Sequence, residues 1–318
     1  MRGAAVLLMG PTGSGKTDLA AALVERFPLE IVSVDAAMVF RGMDIGTAKP
    51  GPDLLARAPH HLIDLIDPAD SYSAARFLAD AGAATAAIAS RGRVPLFVGG
   101  TMLYFRALQS GLARLPAADA QIRSRIEVRA AERGWPALHA ELARLDPASA
   151  ERIQPSDRQR IQRALEVIEA SGRPLSDQLA EDLRGAMRRD DLPIVLAPSD
   201  RSVLFARIAA RFDDMLRRGF VEEVGRLRAR GDLHAGLPSM RLIGYRQLWQ
   251  HLTGESTLED ASQRAIAATR QLARRQLTWL RAEPGADWYD AGHFAVAERI
   301  VARVAEWLDE RRIPAKRC

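Results

Sequence analysis

Apolar residues fill Ala4–Met9 without a break and stop at Gly10. A short unbroken run of this kind predicts a strand buried on both faces. Ile31–Val34 and Val94–Val98 repeat the pattern, the first stopping at Asp35 and the second at Gly99-Gly100. Asp18–Phe27 and Thr101–Gln109 instead carry apolar residues at helical spacing. Strands alternating with helices predict an open parallel α/β sheet. Such sheets bind ligands beyond the carboxyl ends of their strands. The three strand ends are therefore expected to face one crevice.

From about Ala117 to Gly185 the pattern is helical throughout, with helices predicted at Asp119–Arg133, Pro136–Leu145, Asp157–Ser171 and near Ser176–Leu183. Leu192–Ala197 then reads as a strand returning to the sheet. Helices are expected at Arg201–Arg217, Val221–Arg230, Leu258–Arg281 and Phe294–Arg311. The expected organisation is an α/β core made of residues 1–116 and 186–318, with an all-helical insertion domain at 117–185. No internal repeat or low-complexity linker interrupts it.

Composition narrows the class. The 318 residues are 47% hydrophobic and 27% charged, ordinary values for a globular protein. No apolar run is long enough to cross a bilayer, so no membrane partner is expected. The apolar start runs straight into Gly10 and reads as a strand rather than a secretion signal. Cys318 is the only cysteine, which excludes an internal disulfide and a cysteine-built zinc site. A cytoplasmic protein is the resulting expectation, and nothing demands more than a monomer. The net charge of +5 sits wholly in residues 186–318, which hold 23 basic against 18 acidic residues. That surplus permits a nucleic-acid surface without requiring one.

Lys16, Lys49 and Lys316 are the only lysines among 45 basic residues. Lys16 closes the segment Gly10-Pro11-Thr12-Gly13-Ser14-Gly15-Lys16-Thr17, which fits the P-loop pattern G-x-x-x-x-G-K-S/T between a strand and a helix. Glycines let main-chain N–H groups turn inward around an anion, and the helix N-terminus adds partial positive charge. A compact ammonium fits between phosphate oxygens where a planar guanidinium is too wide. The Thr17 hydroxyl is a ligand for Mg²⁺ in such loops. The fold class expected is thus a P-loop NTPase-like parallel sheet. The loop reports phosphate and is compatible with ATP. Yet the strand Val94–Val98 ends in Gly99-Gly100-Thr101, where nucleotide-hydrolysing relatives place a magnesium-holding acid. The acid stands at another strand end, as Asp35.

Several further segments accompany the loop. They are Val34–Pro50, which contains D-I-G-T-A-K-P, then Pro59–Asp64, and Val98–Tyr104 with G-G-T-M-L-Y. Arg158–Glu166, Met240–Gln247 and Thr269–Arg281 follow. Together they resemble the bacterial tRNA dimethylallyltransferases, over nearly the whole chain. The resemblance implies transfer of a dimethylallyl group from dimethylallyl diphosphate to N6 of the adenosine 3′-adjacent to the anticodon. It implies a P-loop that holds the diphosphate, assistance by Mg²⁺, and an adenosine flipped into a channel. It also implies tRNA contacts from Asp35-Ala36-Ala37-Met38, Thr101, Arg123, Gln159-Arg160-Ile161-Gln162-Arg163 and Met240-Arg241-Leu242-Ile243-Gly244-Tyr245. The family segment usually has a serine and a tyrosine where Ala36 and Phe40 stand, so two hydroxyls are missing and no tRNA contact through them is expected.

The chemistry of such a transfer needs a carboxylate to accept a proton from a weakly nucleophilic amine, and Asp35 is the candidate. It also needs positive charge and donors at the leaving diphosphate, for which Lys16, the loop amides and, by the family pattern, Thr101 are candidates. Arg270, Arg274 and Arg281 share one face of a predicted helix, with Arg275 beside it. That face suits phosphates. Arg207 and Arg211 lie four apart on another helix and are further candidates for the pyrophosphate. His60 and His61 read as loop or packing residues. Trp249, Trp279 and Trp288 read as core or interface aromatics. Two other readings stay open on the residues alone: a P-loop kinase of a small metabolite or nucleoside, and an RNA-binding protein whose loop only anchors phosphate.

Overall fold

The computed structural model describes residues 4–117, 119–182 and 190–313. Strands β1 (Val6–Met9), β2 (Leu29–Val34), β3 (His60–His61), β4 (Val94–Gly99), β5 (Leu192–Ala197) and β6 (Asp287–Asp290) form one parallel sheet. Their order is β3-β2-β4-β1-β5-β6. The helices are α1 (Lys16–Arg26), α2 (Pro52–Arg57), α3 (Ala74–Ser90), α4 (Met102–Ser110), α5 (Ala120–Arg133), α6 (Trp135–Leu145), α7 (Pro147–Arg152), α8 (Arg158–Ser171), α9 (Leu175–Asp182), α10 (Arg201–Arg217), α11 (Phe220–Ala229), α12 (Tyr245–Leu252), α13 (Leu258–Arg281) and α14 (Val296–Glu310). None of these is long and apolar enough to cross a membrane.

The unbroken apolar strands are explained by helices on both faces. Side chains alternate along a strand, so Leu7, Met9, Val34 and Phe97 pack on one side with Phe77, Phe105, Ile208 and Leu277. Val6, Leu8, Ile31 and Leu96 pack on the other with Leu23, Ile300 and Trp307. A separate cluster seats Val39, Phe40 and Met43 against Phe212, Phe220, Tyr245 and Leu248. It fastens the segment after β2 to helices α10, α11 and α12.

Register fixes where the strands end. Met9 lies opposite Gly99 in the β1–β4 pair, and Val34 lies opposite the same Gly99 in the β2–β4 pair. Gly10, Asp35 and Gly100 therefore leave the sheet at one level, on the side expected for ligands.

Contacts divide the chain into two compact units, Met1–Leu108 with Arg189–Cys318, and Gln109–Arg188. The expected boundary at 116/117 falls inside the second unit, and the one at 185/186 lies outside the described residues, as does Leu183. In the second unit, Ile122, Ile126, Leu138, Leu142, Ile161 and Leu165 form a core of their own. Helices α5, α7 and α8 of this unit start on aspartate caps. The Asp119 carboxylate accepts from the N–H groups of Gln121 and Ile122, and that of Asp157 from Arg160.

Several elements depart from the sequence pattern. Helix α3 is alanine-rich, so its buried side shows little contrast with its exposed side. Strand β6, Asp-Trp-Tyr-Asp, stands at the sheet edge, half-buried, and lacks the apolar run that marks a buried strand. Strand β3 has two residues. The last helix starts at Val296 and leaves Phe294 before it, 95% exposed.

Candidate active site

The P-loop bridges β1 and α1. Gly15 caps α1 with φ 88°, a left-handed conformation that strains any side chain. The turn sends the chain around its own main-chain N–H groups and begins the helix at Lys16. The Lys16 ammonium donates to Pro11 O at 2.7 Å and to the buried Ser14 Oγ at 3.4 Å. Burial lowers its pKa to about 7; Arg211 adds to that shift and Asp35 opposes it. Arg211, on α10, is likewise lowered by burial and steadied by Asp35. Lys16, Arg211 and Asp35 thus share one electrostatic field at the strand ends. Arg207, one turn earlier on α10, also flanks the loop: a Cβ on Gly13 would lie 4.0 Å from its Cβ, and its guanidinium donates to Ala291 O at 3.4 Å.

Asp35 directly follows β2. Its Oδ1 accepts from Ala37 N at 2.8 Å, and Ala36 N donates to Thr101 Oγ1 at 3.1 Å. Thr101 N in turn donates to Val34 O at 3.2 Å. Asp35 and Thr101 are thereby tied into one turn. Burial, then the charge of the Asp35 carboxylate, pushes the Tyr104 hydroxyl up to about 12. Met38 O accepts from Asp64 N at 3.1 Å, which holds the far end of the Asp35–Met38 segment.

Two residues with no assigned role brace this segment. Buried Lys49 donates to Phe40 O at 3.0 Å and to Asp44 Oδ1 and Asp64 Oδ1, both at 2.6 Å. Buried Glu223 accepts the main-chain N–H groups of Asp44, Ile45 and Gly46 at 2.8–3.1 Å, and the Tyr245 hydroxyl at 2.6 Å. The sequence carried one signal for Glu223: an acid on the apolar face that Phe220, Val224 and Leu227 define on α11.

The other predicted residues divide by exposure. Arg241 is exposed, Leu242 and Ile243 are half-buried, and Met240, Gly244 and Tyr245 are buried. In the second unit Gln159, Arg160 and Arg123 are exposed, Gln162 and Arg163 half-buried, and Ile161 enclosed in the core. The side chains of Ile161, Met240 and Tyr245 pack inward, so their part in any RNA contact is limited to positioning neighbours. Arg123 Nε and Arg163 Nη1 both donate to buried Glu166, each at 3.1 Å, which fixes two guanidiniums on one unit. On α13, Arg270 and Arg274 lie over the Phe205 ring at 5.7 and 5.0 Å. Arg274, Arg275 and Arg281 are exposed.

His60 Nδ1 meets Ala58 O, and His61 Nε2 meets Glu30 Oε2, so both rings serve the sheet edge. Trp249 is buried as expected; Trp279 and Trp288 are 40% and 45% exposed, and Trp279 carries Arg106 over its ring at 5.8 Å. Among the described residues no group of three or more His, Cys, Asp or Glu could hold a metal ion. The donor set at the loop suits Mg²⁺ held by one hydroxyl, Thr17, with the remaining ligands from phosphate oxygens and water.

The P-loop segment and the Asp35 carboxylate thus stand at the ends of the two strands that flank β4 in one parallel sheet. The IPP transferase family model matches residues 38–283, and the chain belongs to that family. It is 58% identical over 304 residues to the tRNA dimethylallyltransferase of Thiobacillus denitrificans, covering 96% of this chain and 97% of the relative. With that of Bordetella petrii it is 57% identical over 305 residues, covering 95% and 97%. The crystal structure of the full-length tRNA isopentenylpyrophosphate transferase from Bacillus halodurans superposes with TM-score 0.72 at 34% identity, covering 98% of both chains. A eukaryotic dimethylallyltransferase acting on tRNA gives TM-score 0.84 at 25% identity, covering 99% of this chain and 81% of that one.

Proposed function

We propose that the protein transfers a dimethylallyl group from dimethylallyl diphosphate to N6 of the adenosine 3′-adjacent to the anticodon in tRNA. The observation that carries the reading is the shared register of Met9, Gly99 and Val34, which sets the phosphate cradle beside Asp35. The likeness to tRNA dimethylallyltransferases over almost the full chain supports the choice of substrates.

The exocyclic nitrogen of adenine is a weak nucleophile because its lone pair is delocalised into the ring. As it attacks the allylic C1, its proton passes to Asp35. The Oδ1 of Asp35 is engaged by Ala37 N–H, so Oδ2 is the oxygen assigned to the amine. The C1–O bond breaks, and its electron pair leaves with the diphosphate. Charge growing there is met by Lys16, Arg211 and the loop N–H groups. Thr101 Oγ1 already accepts from Ala36 N–H, which leaves its own proton to donate to the leaving group. Mg²⁺ bound through Thr17 would supply further neutralisation of that charge.

An adenosine stacked in the anticodon loop is out of reach of such a crevice and must be extruded. Arg274, Arg275 and Arg281 offer charge to the tRNA backbone, as do Arg241 on the first unit and Arg123, Arg160 and Arg163 on the second. To test the reading, unmodified tRNA is incubated with protein, Mg²⁺ and either dimethylallyl diphosphate or ATP, and the nucleosides are weighed by mass spectrometry. N6-dimethylallyladenosine is expected with the prenyl donor. Phosphate transfer from ATP without that product would favour a kinase instead.

A further inference from the structure

Gln276 faces the buried side of α13 with Ala273, Leu277 and Leu280, where a polar side chain must find partners. It finds one on each of two loops. Its Oε1 accepts from Thr12 N of the P-loop at 3.0 Å, and its Nε2 donates to Gly100 O of the turn before Thr101 at 2.8 Å. Both ends of the amide are assigned by these partners, since one is a donor and the other an acceptor.

Gly100 is shaped for this contact. A Cβ there would lie 2.5 Å from Gln276 Nε2 and 3.1 Å from Gly10 O. Only a glycine lets the amide enter between the two loops. From Gly100 the path runs to Thr101, whose Oγ1 accepts from Ala36 N beside Asp35. One side-chain amide thus stands between the diphosphate cradle and the turn that carries the base.

We propose that Gln276 is a positioning residue, which fixes the spacing between the leaving-group cradle and the acceptor base through Thr12 and Gly100. The proposal rests on the transfer reading given above. Gln276 touches neither substrate; it acts through the two loops, and the chemical step depends steeply on their separation. A misplacement of about 1 Å is enough to slow such a step by about 100-fold.

The test uses the full-length protein and measures three quantities: single-turnover formation of N6-dimethylallyladenosine, tRNA affinity by filter binding, and the thermal midpoint. Gln276→Met keeps the volume and removes both hydrogen bonds. It is expected to slow the chemical step by about 100-fold with tRNA affinity unchanged. Gln276→Glu keeps the acceptor for Thr12 N, loses the donor to Gly100 O and sets a negative charge near the diphosphate. It is expected to raise the KM for dimethylallyl diphosphate as well. Gly100→Ala, with Gln276 intact, is expected to reproduce the slow step because its Cβ displaces the amide. A wild-type rate in folded Gln276→Met, or a rate that falls only in step with the folded fraction, would overturn the proposal. So would a loss confined to tRNA affinity. If Gln276→Met does not fold, Gln276→Glu and Gly100→Ala carry the same comparison. A wild-type protein that forms no dimethylallyladenosine removes the transfer reading itself; normal wild-type product with unaffected variants removes only the role of Gln276.

Discussion

The Tyr245 hydroxyl donates to the Glu223 carboxylate at 2.6 Å, and both side chains are buried. The same carboxylate gathers three successive main-chain N–H groups from Asp44, Ile45 and Gly46. A buried anion is tolerated here because donors surround it. The contact joins the segment after the Asp35 turn to the start of α12.

Removing Glu223 strands those donors. Glu223→Ala is expected to destabilise the protein by about 3 kcal/mol or more, since several buried N–H groups lose their partner. Tyr245→Phe removes one hydrogen bond to a charged group and is expected to cost about 1.5–3 kcal/mol. Urea unfolding of the two variants beside the wild type checks the order. A Tyr245→Phe variant less stable than Glu223→Ala would contradict it.

Diphosphate binding is expected to take up a proton above neutral pH. Lys16 has its pKa lowered to about 7 in the protein without substrate, chiefly by burial. Above that pH the amine is mostly neutral, and a bound diphosphate pulls the pKa back up. Affinity is therefore full below about pH 7 and declines as pH rises beyond it. Calorimetric titration at pH 8, in two buffers of different ionisation enthalpy, reads the proton directly. Uptake approaching one proton is expected, and none in Lys16→Met. Equal heats in both buffers would contradict proton uptake by Lys16 on binding.

Asp35→Asn retains an oxygen for Ala37 N and so keeps the turn, while losing the base. Turnover is expected to drop by about 10²–10⁴-fold, with tRNA affinity preserved. Filter binding and single-turnover assays separate the two. Parallel loss of both would make Asp35 a binding residue.

Arg123 and Arg163 are held by one buried acid, Glu166, and are expected to meet tRNA phosphates. Replacing each by Ala is expected to reduce the slope of log affinity against log salt by about one. An unchanged slope would place these arginines away from the RNA.

The phosphate cradle, Asp35 and the Gly99-Gly100-Thr101 turn were legible in the sequence because each terminates an apolar strand, and parallel strands present their ends together. The second unit was legible as helices from its apolar spacing. What stayed hidden depends on contacts between distant segments. Glu223 is read as one more helix acid until Asp44–Gly46 folds onto it. Gln276 lies within a recognisable segment, yet its partners are 264 and 176 residues away. Ile161, Met240 and Tyr245 were grouped with their exposed neighbours because a motif records residues in order, not the face each one turns to. Strand β6 escaped for a related reason: an edge position needs no apolar run.

The central claim is that Gly10–Thr17 holds a diphosphate that leaves while Asp35 takes the proton from adenosine N6. The most direct measurement is single-turnover prenylation of an unmodified tRNA by wild type and Asp35→Asn, with the product located by digestion and mass spectrometry. The expected result is dimethylallyladenosine at the position 3′ of the anticodon, formed by the wild type and lost with the carboxylate while tRNA stays bound. Absence of the product from the wild type, or undiminished product from Asp35→Asn, would contradict the account.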